Sequence, residues 1–146
     1  MSIGCKQHRI FVVDDEEIIA TSLAMILQKS GFDATSFTHP LKALEASGSE
    51  SPDLLISDVM MPELNGIDLA IRMKEICPEC KVLLFSGQAN TLSLLETARA
   101  NGNHFELIGK PVHPTDLLRK IHHDFGLAQA SEPHYLTMEQ PAVWSE

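Results

Sequence analysis

Residues 54–66 read LLISDVMMPELNG, and this stretch decides the fold. Leu54, Leu55 and Ile56 form a short apolar run with strand character. Asp58 then closes the run, and two methionines, a proline and an Asn-Gly pair lead the chain away. A carboxylate at the tip of an apolar strand, followed at once by turn residues, needs a reason that burial alone does not supply.

Working outward, the hydrophobic period alternates between strand-like and helix-like from residue 9 to about residue 125. Strand-like runs are Arg9–Val13, Asp33–Phe37, Asp53–Ser57, Lys81–Ser86 and His104–Gly109. Helical patterns lie between them. Over 16–30, Ile19, Leu23, Ile26 and Leu27 share a face, and Gly31 is placed to end the helix. Pro40 opens a shorter helix over Leu41–Ala46. Residues 66–76 align Ile67, Ala70, Ile71 and Lys74, with Pro78 as the stop. Residues 89–101 carry Leu92, Leu95 and Ala98; Pro114 opens the last helix, with Leu117, Leu118, Ile121 and Phe125 before Gly126.

Five βα units joined by short loops predict an α/β protein with a doubly wound, five-stranded parallel sheet. The first and third runs are the most continuously apolar, as central strands covered on both faces should be. Residues 1–126 are expected to form one domain. The tail 127–146 loses periodicity and carries Tyr135, Leu136, Val143 and Trp144, so it is expected to be flexible or docked on a surface.

A chain of 146 residues with 44% hydrophobic content can bury a core without a structural metal or disulfides. Its net charge of −9, without a Lys/Arg cluster, argues against nucleic acid or an anionic membrane as a partner. The N-terminal apolar run is interrupted by carboxylates too early for a signal peptide or a membrane span, so a cytoplasmic location is expected. Cys77 and Cys80 form a C-x-x-C, but the pair follows a helix where the dipole opposes a thiolate, and no second ligand pair offers a zinc site. They read as two small, partly buried side chains in an αβ loop.

In an open parallel sheet, ligands bind beyond the carboxyl ends of the strands. Those ends carry Asp14-Asp15, Ser57-Asp58, Ser86-Gly87 and Lys110-Pro111. Two carboxylates about 4 Å apart repel by roughly 4 kcal/mol at an effective dielectric near 20. Lys110 offsets one charge and leaves about two, which a hard divalent cation such as Mg²⁺ would balance in an all-oxygen shell. Asp14 and Asp15 have a plainer role open to them, capping the first helix, although capping needs only one carboxylate. The histidines are not expected to be catalytic, and His113 occupies a helix-capping position.

The motifs FVVDDEE, LLISDVMMPELNG, VLLFSGQ and GKP, in this order and at these strand ends, resemble the receiver domain of two-component response regulators over residues 8–125. The resemblance implies a flavodoxin-like receiver fold with strand order 2-1-3-4-5. It implies that Asp58 accepts a phosphoryl group from a histidine kinase or phosphotransfer protein. It further implies that Asp15, Asp58 and the Met60 backbone carbonyl bind Mg²⁺, with Asp14 acting through water. Ser86 and Lys110 would contact phosphoryl oxygens, and the Lys110–Pro111 peptide would be cis. A downstream protein would bind the face made by the fourth helix, fifth strand and fifth helix, and a homodimer stays open.

Two departures stand out. The family usually places an aromatic three residues before the lysine, where this chain has Leu107; Phe105 is the nearest aromatic. The positions two beyond Asp58 and Ser86 hold Met60 and Gln88, neither a water-orienting acid, so slow self-hydrolysis is expected. The leading function is a stand-alone signalling switch rather than an enzyme. The alternatives are a Mg²⁺-dependent phosphohydrolase with an aspartyl-phosphate intermediate, and a receiver used only for docking.

Overall fold

The computed structural model describes residues 7–86, 91–100, 102, 105–109 and 113–125, with backbone alone for 91–94. Lys110, Pro111, Gly87, Gln88 and the tail 127–146 lie outside the described residues.

Up to residue 109, the chain alternates β1 (Arg9–Val13), α1 (Glu17–Lys29), β2 (Asp33–Phe37), α2 (Pro40–Ser47), β3 (Leu54–Asp58), α3 (Gly66–Ile76), β4 (Lys81–Ser86), α4 (Thr91–Ala100) and β5 (Glu106–Gly109). All neighbouring strands pair in parallel, in the order β2-β1-β3-β4-β5. This is the expected doubly wound sheet. β1 lies between β2 and β3, so strand order reverses there and opens a crevice at the carboxyl ends of β1 and β3.

Burial follows the strand alternation. Phe11, Val13, Leu55 and Leu84 join Ala43 of α2, Ile67, Ala70 and Met73 of α3, and Leu95 and Ala98 of α4 in one core cluster. Ile10, Val12, Leu54, Ile56 and Leu83 alternate with them and are equally buried. Every residue of β3 is buried, as the unbroken run predicts.

The helix ends follow from local chemistry. After α1, Gly31 adopts φ +97°, its amide reaches Gln28 O at 3.1 Å, and the Phe32 amide reaches Leu27 O at 3.0 Å. This paired reverse bonding satisfies carbonyls that the helix leaves open, and glycine enters the left-handed region without a Cβ clash. On α1, the buried stripe is Ala20, Leu23, Ala24 and Leu27, while Ile19 and Ile26 are only partly covered. Ala20 and Leu27 are fully buried, so small and large side chains share the covered stripe. On α3, Leu69 and Met73 join Ile67 and Ala70 in the core, whereas Ile71 and Lys74 are half-buried. The Lys74 stem follows the apolar face, and its ammonium donates to Pro78 O at 3.1 Å and Cys80 O at 2.9 Å.

Cys77 and Cys80 are more buried than the sequence suggests, at 6% and 1% exposure. They flank a turn closed by the Cys80 amide on Cys77 O at 3.0 Å, and both are free thiols. That turn tucks the two sulfurs inward beneath the end of α3. Burial, with Cys77 close by, pushes the Cys80 thiol up to about 12.

Residues 113–125 form a separate unit, the helix α5 (Pro114–Asp124). His113 caps it, its Nδ1 accepting from the Thr115 amide at 3.3 Å, and Pro114 takes the first turn. Leu117 and Ile121, four residues apart, are its fully buried side chains.

Candidate functional site

β1 ends at Val13, and the next residue is held by backbone bonding to β2: the Asp14 amide donates to Phe37 O at 3.1 Å. Phe37 is itself seated against Phe11, with ring centroids 4.9 Å apart. The Asp14 side chain turns back so that one carboxylate oxygen accepts the Glu16 amide at 2.9 Å. This short turn leads into α1, whose N-cap Glu16 makes no side-chain capping bond. Asp14 therefore does carry out part of the local bonding that opens the helix. Asp15 is left exposed beside it.

β3 delivers Asp58 as its last residue, one position later than the period suggested. The following residues fold sharply back. The Val59 amide donates to Phe85 O at 3.0 Å, and the Gly66 amide donates to Val59 O at 2.8 Å. Between them, Glu63 has φ +72° and the Leu64 amide donates to Pro62 O at 2.7 Å, a tight turn rarely adopted by a non-glycine residue. Asn65 then caps α3 by accepting the Asp68 amide at 2.8 Å. Met61 packs into the core, whereas Met60 is 39% exposed next to Asp58.

The outcome is a triad of acids. Asp14, Asp15 and Asp58 each offer a carboxylate oxygen, and these oxygens all lie within 4.8 Å of one another. Among the described residues this is the one group of three or more acidic, histidine or cysteine side chains so arranged. Asp14 and Asp58 are buried, at 2% and 8% exposure. Three like charges so close, two of them with little water, are mutually repulsive unless a cation sits among them. Hard oxygen donors on a partly open rim suit a small divalent ion that retains some water. The cluster can therefore hold a metal ion.

Ser86 ends β4 and is buried at 6% exposure, with Gly109 of β5 as its register partner. Its strand end faces the same rim as those of β1 and β3, as the parallel order requires. Lys110, the remaining expected site residue, is outside the described residues. The aromatic question narrows. Leu107 pairs with Leu84 and is half-buried, while Phe105 precedes β5 and is buried in the core cluster.

Two residues around Asp58 were not singled out for function by sequence. Ser57 is fully buried, and its hydroxyl donates to Asp58 O at 2.9 Å. Gly66 has the sequence context of turn punctuation; a Cβ on it would collide with Asp58 O and stand 3.0 Å from the Asp58 carbonyl carbon. A polar residue inside an otherwise apolar strand was the available signal for the first. The second had none, because the approach depends on how the loop returns.

Residues 10–122 match the family model of the response regulator receiver domain. The chain is 33% identical over 113 residues to the response regulator receiver protein CpdR of Brucella abortus, covering 77% of this chain and 92% of that one. It is 29% identical over 114 residues to the chemotaxis protein CheY of Thermotoga maritima, covering 77% and 93%. Among solved structures, a CheY-like receiver domain protein from Methanospirillum hungatei superposes with a TM-score of 0.75 at 26% identity, over 83% of this chain and 95% of that one. Sequence and sheet order thus converge, and the chain belongs to the response regulator receiver domain family of two-component signalling.

Proposed function

We propose that this chain is a phosphorylatable switch of a two-component phosphorelay, with Asp58 as the phosphoacceptor in a reaction that requires Mg²⁺. The observation that carries this reading is the meeting of Asp14, Asp15 and Asp58 oxygens within 4.8 Å at the crevice where strand order reverses. An Asp58 oxygen attacks the phosphorus of a phosphohistidine on a kinase or phosphotransfer protein; the new O–P bond forms as the P–N bond breaks and the imidazole departs. Asp14, Asp15, Asp58 and the Met60 carbonyl are the residues that would hold the ion. When bound, Mg²⁺ would offset the charge of the carboxylates and of the arriving phosphoryl oxygens.

The chain's own residues supply the remainder. Ser86, buried at the end of β4, would donate its hydroxyl to one phosphoryl oxygen, and Lys110 would pair with another. Met60 is half-exposed beside Asp58 and offers no acid to orient water, which supports a long-lived phosphoryl group. Recruitment of Ser86 and Lys110 would alter the surface of α4, β5 and α5, where a downstream protein would bind, either to one copy or to a dimer. On this reading the protein is a switch rather than an enzyme with a separate substrate, and nucleic acid is not its partner. Residues 1–126 serve as the receiver, and 127–146 as a flexible or docking tail. Work in the cytoplasm is part of this reading; among the described residues, no helix is long and apolar enough to cross a membrane.

The test is incubation with a small acyl phosphate and Mg²⁺, followed by intact mass. One added phosphoryl group, absent in Asp58→Asn, supports the proposal. No addition from any small donor or histidine kinase overturns it, and a phosphoryl lifetime of seconds overturns the slow hydrolysis.

A further inference from the structure

Ser57 is fully buried in the middle of the sheet. Its register partners are Val13 of β1 and Leu84 of β4, and Leu55 precedes it on the same face of β3. A hydroxyl in such surroundings is costly unless bonded, and an aliphatic side chain would fill the space without that cost. The Ser57 hydroxyl spends its proton on the carbonyl of the very next residue, Asp58, at 2.9 Å.

That carbonyl is confined from another side. The Gly66 α-carbon packs so closely that a Cβ would collide with Asp58 O and lie 3.0 Å from both Asp58 C and Val59 Cα. The amide of the same peptide group, that of Val59, is fixed on Phe85 O at 3.0 Å. Oxygen and nitrogen of the Asp58–Val59 peptide are thus both bonded, and its open flank is closed by glycine.

We infer that Ser57 is a positioning residue for the phosphoacceptor, acting through the Asp58 carbonyl with Gly66 as the backstop. The inference rests on the proposed role of Asp58. The preceding peptide is held in the β3 ladder, so an Asp58–Val59 plane that cannot tilt fixes ψ of Asp58 and thereby its Cα–Cβ direction, which places its carboxylate relative to Asp14 and Asp15. Small misplacements of a reacting group cost rate steeply, even when the fold is intact.

The experiment compares Ser57→Ala, Ser57→Thr and Leu55→Val in the full chain. Phosphorylation by a small acyl phosphate is timed by intact mass, and the Asp58 carbonyl ¹³C resonance is followed by NMR. Ser57→Ala is expected to be phosphorylated roughly tenfold more slowly, with a moved carbonyl resonance, while Ser57→Thr keeps the hydroxyl and stays within about twofold of the unsubstituted chain. Leu55→Val leaves a cavity on the same strand face and tests stability loss alone; it should also stay within about twofold. Should Ser57→Ala fail to fold, Ser57→Cys replaces it, its thiol being a weak donor. An unchanged rate and resonance in Ser57→Ala, or equal slowing in Leu55→Val, overturns the inference. If the unsubstituted chain takes up no phosphoryl group, the proposed function falls by itself. The carbonyl resonance then decides the positioning role: displaced in Ser57→Ala and restored in Ser57→Thr supports it, and unmoved overturns it.

Discussion

The α-carbon of Gly66 lies against the Asp58 peptide, and a methyl group there would stand 3.0 Å from the Asp58 carbonyl carbon. Gly66→Ala must therefore push α3 or the end of β3 aside. A loss of about 2 kcal/mol in urea unfolding is expected, since overpacking against backbone outweighs alanine's better helix propensity. Gly48 supplies the contrast. It sits at φ −68° and ψ −28°, and a Cβ would meet Glu45 O at an ordinary 3.5 Å. Gly48→Ala should be neutral or stabilise by up to about 1 kcal/mol, because the unfolded chain loses freedom.

Glu63 holds φ +72° in the loop after Asp58, a region costly for a residue with a Cβ. Glu63→Gly should raise the urea midpoint, with a gain on the order of 1 kcal/mol after glycine's own entropy is counted. A lowered midpoint would show that the Glu63 side chain contributes more than its backbone strain costs.

Cys80 predicts an alkaline limb of the stability curve. Its thiol is raised from 9.0 to about 12, chiefly by burial. The folded state thus keeps a proton that the unfolded chain releases. The stabilisation is fully present below pH 9.0 and is lost as pH climbs toward about 12. Within that window the slope attributable to this thiol approaches about −1.4 kcal/mol per pH unit, and Cys80→Ala should flatten it. The measurement is urea unfolding across that range.

Asp14 combines two roles that one substitution separates. Asp14→Asn keeps an oxygen for the Glu16 amide but removes a charge from the triad. Without divalent ions it should stabilise the protein by roughly 1 kcal/mol through relief of repulsion. With millimolar Mg²⁺ the order should invert, because the unsubstituted chain gains more from the ion. Thermal unfolding in chelator and in Mg²⁺ provides the comparison, and a stability gain indifferent to Mg²⁺ would count against a metal at these residues.

Strand existence was legible because the apolar runs are short, well separated and punctuated, and because Asp14, Asp58 and Ser86 mark three strand ends; the strand order came only with the family resemblance. Boundaries were less legible. β5 is shorter than its apolar pattern because Phe105 turns into the core before pairing begins at Glu106. The covered stripe of α1 departs from the apolar pattern because Ala20 and Ala24 are buried while the larger Ile19 and Ile26 flank them and are only partly covered. The depth of Cys77 and Cys80 depends on one turn, and the approach of Gly66 to Asp58 depends on a loop returning over its own strand. Neither leaves a periodic trace, since both are contacts of shape rather than of pattern.

The partition of the acids between β1 and β3 has a thermodynamic consequence. Asp14 and Asp15 belong to one segment and Asp58 to another, and the two meet only because strands whose first contacts span 44 positions, from Arg9 to Asp53, lie side by side. An unfolded chain has no such cluster. Any ion that occupies it therefore binds the folded state alone, and by mass action stabilises the fold by about 2.7 kcal/mol at a hundredfold excess over its dissociation constant. With an ion at these residues, folding and occupancy would be a single coupled equilibrium, and the melting temperature would rise with free cation concentration.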